Sequence, residues 1–114
     1  QIGALKAACE ELGKEMLTNA KGRTYIGAKK ADWVIKLDGP YDVLINRGKN
    51  GTLNVSTDFY RGNVEQECGK GLEKLKHLYP IHVASQKVRA LGGMVQRRKL
   101  ATGQTELTCT VSSL

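Results

Sequence analysis

The chain lacks any long apolar run. Its uninterrupted apolar stretches are short ones such as Trp33-Val34-Ile35 and Val43-Leu44-Ile45, far below the roughly 20 residues a membrane-spanning helix needs. A helical membrane span is therefore excluded. No basic segment followed by an apolar core opens the sequence, so no secretory leader is read. Gln1 in place of Met predicts that further residues, with any targeting signal, precede it. Cysteine is scarce: Cys9, Cys68 and Cys109 lie far apart, and none belongs to the C-x-x-C pairs of zinc or redox sites. An odd count argues against a disulfide framework. All three read as core-facing, which predicts free thiols in a reducing compartment, the cytoplasm. Phosphate loops are missing too, because Gly48 to Gly51 and Gly69 to Gly71 have neither the spacing nor the lysine-serine ending of a P-loop. Ser56 and Ser85 sit in no nucleophile elbow.

What remains is ordinary globular material. The 114 residues, 40% apolar and 25% charged, predict one domain over residues 1–114 with a modest core. Ile2, Leu5, Ala8, Cys9, Leu12 and Met16 recur at helical spacing, predicting an amphipathic helix over about the first eighteen residues. Residues 32–38 alternate, with Trp33, Ile35 and Leu37 on one face, and residues 41–47 repeat the pattern with Tyr41, Val43 and Ile45. Gly39-Pro40 separates these strands, and Lys49-Asn50-Gly51 supplies a turn into a third strand from Leu53 towards Phe59. Asn63 reads as the N-cap of a long helix ending at Gly92-Gly93, with Pro80 kinking or dividing it. A closing hairpin joins Met94–Leu100 to Thr105–Val111, with Leu107, Cys109 and Val111 inward. The expected fold class is α+β: a two-layer sandwich, an antiparallel sheet of about five strands with helices on one face, in the order α-β-β-β-α-β-β.

Several segments carry a resemblance: Ala31-Asp32-Trp33-Val34-Ile35, Gly39-Pro40-Tyr41-Asp42-Val43, Asn46-Arg47, Phe59-Tyr60, Leu78-Tyr79 with His82, and Val95-Gln96-Arg97-Arg98. Over most of its length the chain resembles an uncharacterised family of small proteins known as a hypothetical reading frame of algal plastids and cyanobacteria, with bacterial and phage relatives. Phe59-Tyr60 stands where relatives tend to show tryptophans, and Pro80 interrupts a helix expected to be smoother. The resemblance implies a cytoplasmic or plastid-stromal protein. It transfers no activity, since fold does not imply function.

Charge is the most informative functional feature. The net charge is +7, and it is concentrated in two stretches. One holds Lys21, Arg23, Lys29, Lys30 and Lys36; the other holds Lys87, Arg89, Arg97, Arg98 and Lys99. Such blocks are the footprint of a surface that meets phosphates and releases counterions, so the expected function is a non-enzymatic basic module binding RNA or DNA through these ten residues. The expectation requires both blocks to form one continuous surface. Aromatic interleaving is limited to Tyr25 inside the first block and Tyr60 beside Arg61. The alternative is an accessory subunit of a larger protein assembly, anchored by Trp33, Phe59 or Tyr60 and by an edge strand. No cofactor, metal or membrane partner is predicted. His77 and His82 lie about 140° apart around a helix, and Asp38 and Asp42 flank a turn that explains them as turn formers.

Overall fold

The computed structural model describes residues 2–110. The order is α1 (Ile2–Glu11), β1 (Glu15–Thr24), β2 (Gly27–Lys36), β3 (Val43–Arg47), β4 (Leu53–Thr57), α2 (Asn63–Cys68), α3 (Glu73–Ala90), β5 (Met94–Lys99) and β6 (Thr105–Thr110). The α+β class holds. Strands β1 to β4 form an antiparallel meander in sequence order, while β5 and β6 pair only with each other among the described residues. In place of the expected five-stranded sheet there is a sheet of four, whose first strand β1 was not expected, and a separate hairpin.

The first helix is shorter than its apolar spacing suggested. It stops where Gly13 takes φ +73°, with Gly13 N–H donating to the Glu10 carbonyl and Lys14 N–H to the Cys9 carbonyl. That is the Schellman closure, which favours glycine because a left-handed residue is needed. Met16 continues the i, i+4 pattern by coincidence and in fact belongs to β1, which starts at Glu15. The second expected helix is also divided, but at Gly69–Leu72 rather than at Pro80: Gly69, Gly71 and Leu72 have positive φ, whereas α3 runs through Pro80. Asn63 is the first helical residue rather than the cap, and Gly62 precedes it.

One core lies between the sheet and the helices. Trp33, Ile35, Leu37, Val43 and Ile45 face Leu5, Ala8 and Cys9 of α1, Val64 and Cys68 of α2, and Leu72 and Leu75. The period-2 pattern predicted that sheet face correctly. The opposite face does not meet solvent at its centre, because Val34 and Leu44 are fully or almost fully buried there. Gly22 explains why. It lies five residues beyond Leu17, the ladder partner of Val34, so an extended strand would carry it roughly 16 Å away. Instead a Cβ built on Gly22 would sit 3.2 Å from Val34 and 2.5 Å from Leu44.

The outer half of the β1–β2 hairpin therefore folds back over the sheet. The bend falls at Asn19, at φ +50°. Opposite it, Asp32 turns to β3: its N–H donates to Asn46 Oδ1 and its Oδ2 accepts from Arg47 N–H. Beyond the bend Ala20 and Ala31 side with Val34 and Leu44, small residues that permit close approach. A Gly22→Val substitution is expected to overpack this seam and cost about 2 kcal/mol. Chemical denaturation measures the loss, and an unchanged midpoint would contradict the folded-back arm.

Asp42 locks the arm in place. Its buried carboxylate accepts from the backbone N–H, Nε and Nη2 of Arg23, from Lys36 Nζ and from Leu37 N–H, all between 2.8 and 3.1 Å. Burial pushes this carboxyl up, but the hydrogen bonds from Arg23, Lys36 and the two amides outweigh it and hold the group well below the usual carboxylate range.

Candidate functional site

The ten cations do not form one surface. Of the first block, Lys21, Arg23, Lys29 and Lys30 lie on the arm, over the sheet face away from the helices, while Lys36 ends β2 at the base of the hairpin. The second sits on α3 and on the β5–β6 hairpin. That hairpin packs on α3 and is tied to α1 by Arg97 Nη1, which donates to Glu11 Oε2 at 2.7 Å. The thickness of the sheet separates the blocks, contrary to the expected continuity. Four of the ten also have acidic partners: Arg23 and Lys36 share Asp42, Arg97 pairs with Glu11, and Arg98 pairs with Glu106 across the hairpin. The alternation of cations along β5 is thereby explained, since a two-stranded ribbon has no buried sheet face.

Lys21, Lys29 and Lys30 are different. They are exposed on the arm, and no ion pair involves them among the described residues. Lys21 stands directly opposite Lys30 in the ladder, a like-charge cross-strand pair that opposes folding. Because Ala20 and Gly22 face the sheet, strand alternation turns Lys21 outward, and Lys30 with it.

The tip of the same arm carries aromatic side chains. Tyr25 and Tyr60 meet with ring centroids 5.1 Å apart in an edge-on arrangement, and Tyr41 lies 6.4 Å from Tyr25. The Arg61 guanidinium stands 5.3 Å above the Tyr60 ring. Tyr25 N–H donates to Asp58 Oδ2 at 2.7 Å, fastening the tip to the loop after β4. Tyr25 is 63% exposed, Tyr60 47% and Ile26 93%; Phe59 beside them is also exposed. A cleft of about 290 Å³ between arm and sheet brings Lys29 beside Tyr25 and Ile26. Three of the chain's four tyrosines thus converge beside Lys29, with Lys21 and Lys30 farther along the same arm. Contacts spanning up to 35 residues created this patch, and only the juxtaposition of Tyr60 with Arg61 and of Tyr25 with basic residues hinted at it.

Other candidates fall away on geometry. Trp33 is 8% exposed, packed in the core with Arg47 5.1 Å over its ring, so it is no surface anchor. His82 Nε2 lies 2.8 Å from Glu11 Oε1 and His77 Nε2 lies 3.1 Å from Thr105 Oγ1, so the two histidines serve different contacts. Among the described residues no three His, Cys, Asp or Glu side chains converge as metal ligands would. Asp42 is buried while Asp38 is exposed, so they form no acid-base pair. Ser85 is buried and donates to the Ile81 carbonyl. No helix among the described residues is long and apolar enough to cross a membrane.

The cysteines separate into two kinds. Cys9 and Cys68 are buried, whereas Cys109 is exposed on β6, not inward as its spacing suggested. Val111 lies outside the described residues. Burial, with Cys68 and Glu10 nearby, pushes the Cys9 thiol up to about 12, and burial raises Cys68 as well. The thiolate is the reactive form. A chromogenic thiol reagent at pH 8 is expected to modify Cys109 rapidly and Cys9 and Cys68 only after denaturant is added; rapid modification of all three would show the core to be open.

No family model matches this chain, and no curated protein or solved structure is similar to it at a significant level.

Proposed function

We propose that this domain is a non-enzymatic module that binds single-stranded nucleic acid on the folded-back arm. Tyr25 and Tyr60 offer ring faces to successive bases, Arg61 adds a stacking cation, and Lys21, Lys29 and Lys30 contact the phosphates. The supporting observation is the juxtaposition of exposed, touching aromatic rings with lysines that lack acidic partners among the described residues. Stacking on aromatic side chains beside a basic track is the sequence-tolerant way to hold unpaired bases, because every base has a π-face. Lys21 and Lys30 fit the same reading, since a phosphate between them relieves the repulsion that their ladder positions impose. Lys87, Arg89 and Lys99 take no part.

A salt series tests the reading. With three lysines on phosphates, the logarithm of the affinity for a single-stranded homopolymer is expected to fall against the logarithm of salt with a slope of about −2. Duplex of the same length, whose bases are not free to stack, should bind more weakly. A flat salt dependence, or equal affinity for duplex, would remove the proposal.

A further inference from the structure

A second surface lies on the helical side of the sheet, the face opposite the one the arm covers. Helix α3 packs on α1 and on the closing hairpin rather than over β4. The sheet face near that edge is left as an open groove of about 470 Å³, lined by Val43, Ile45, Val55, Leu75, Tyr79 and Lys76 among others. Val55 is 52% exposed.

Among the described residues the rim of this groove is a free strand edge, since β4 ends the four-stranded order. The Gly48 N–H donates to the Thr52 carbonyl, opposite it in the ladder. Hydrogen-bonded and non-bonded pairs alternate along an antiparallel ladder. Leu53, Val55 and Thr57 therefore turn their backbone N–H and C=O groups away from β3. The two edges of the sheet are unlike. β1 carries Glu15, Lys21 and Arg23, the usual protection against edge pairing, whereas β4 reads Leu53-Asn54-Val55-Ser56-Thr57, with no charge and no proline.

We propose that the β4 edge receives an extended peptide segment of a partner as an added strand, with alternate apolar side chains in the groove and a carboxylate facing Lys76. The backbone edge selects an extended strand, because only that conformation pairs with the free groups of Leu53, Val55 and Thr57. Charge selects its composition. Among the described residues Lys76 is the one charged side chain lining the groove, and Lys49 flanks the turn into β4. The same charges exclude a second copy of the chain: symmetric pairing about Val55 brings Lys49 of one copy towards Arg61 of the other, on two molecules of net charge +7 each.

The probe is a capped peptide of about nine residues, a usual strand length, alternating valine and glutamate, with an alternating valine–lysine peptide as its control. Fluorescence anisotropy should show the glutamate peptide binding at least about tenfold more tightly, because like charges across an interface are penalised. Amide exchange should slow at Leu53, Val55 and Thr57 and not along β1. Val55→Pro removes one outward N–H without touching the ladder to β3 and should abolish binding. Lys76→Glu leaves the edge intact and should reverse the preference between the two peptides, which decides the matter even where Val55→Pro unfolds. Equal affinity for both peptides, protection along β1, or a dimer whose β4 amides are protected without peptide would each overturn the proposal.

Discussion

Asp42→Asn is expected to lower the stability of the domain by about 3 kcal/mol. Breaking a buried ion pair by removing one partner costs roughly 3 to 5 kcal/mol; the lower end applies because Arg23 and Lys36 are partly exposed and regain water. The amide is nearly isosteric, but it points an NH2 group at Arg23, Lys36 and two backbone N–H donors that need an acceptor. In a domain of this size the melting temperature should fall by roughly 15 °C. Acid reports on the same group. The folded Asp42 carboxyl lies below its ordinary value, so its contribution is fully present above that value and is lost as pH falls through the range below about 4. Glu11 and Glu67 share the direction. Glu11 is lowered chiefly by the hydrogen bond from Arg97, aided by His82, and Glu67 by Lys14 and the amides of Asp38 and Gly39 against its burial. Wild-type protein should therefore lose stability on acidification more steeply than Asp42→Asn, in parallel denaturation series at neutral and acid pH. Equal slopes would mean that Asp42 does not carry the acid sensitivity.

Tyr60→Ala is expected to weaken single-strand binding about tenfold, since stacking contributes roughly 1 to 3 kcal/mol per base. Tyr25→Ala should act similarly. The two rings touch, so the double variant is expected to fall short of the product of the single effects. Charge and stacking separate in the salt series. Lys21→Ala or Lys30→Ala should reduce the salt slope by about 0.7 each, whereas the tyrosine variants should leave the slope unchanged and shift the whole line. Lys87→Ala and Arg89→Ala supply the control, being cations of the same chain on the other side of the sheet. If they reduce affinity as much as Lys21→Ala and Lys30→Ala do, binding follows net charge rather than the arm, and the proposed site is wrong. The two sets of predictions meet at Asp42, because releasing Arg23 loosens the arm that carries Tyr25. Asp42→Asn should impair nucleic-acid binding at temperatures where the protein remains folded.

Much of the architecture was legible as local pattern. Alternation in Trp33-Val34-Ile35 and Val43-Leu44-Ile45 identified two central strands and the face they turn to the helices, because side-chain period depends only on backbone geometry. The turns at Gly39-Pro40 and Asn50-Gly51 and the hairpin from Met94 were readable for the same reason. The overrun of the first helix into Met16 shows the limit of that reasoning: one residue at the right spacing cannot reveal that Gly13 has already closed the helix through its own conformation. Likewise, counting lysines located the charge but could not say which cations find acids, since Arg23 lies nineteen residues from Asp42 and Arg97 lies eighty-six from Glu11.

The sequence by itself determined the α+β class, the inward face of the central strands and the two stretches that hold the positive charge, all properties of neighbouring residues in the chain. Only the tertiary structure decided that the β1–β2 hairpin doubles back, that Tyr25 meets Tyr60, that two cations of each basic stretch find acids and the two stretches lie apart, and that the β4 edge stays open among the described residues. The physical reason lies in a few distant contacts, Gly22 against Leu44 and Asp42 with Arg23. Their free energy depends on burial and on partners that the local pattern does not encode.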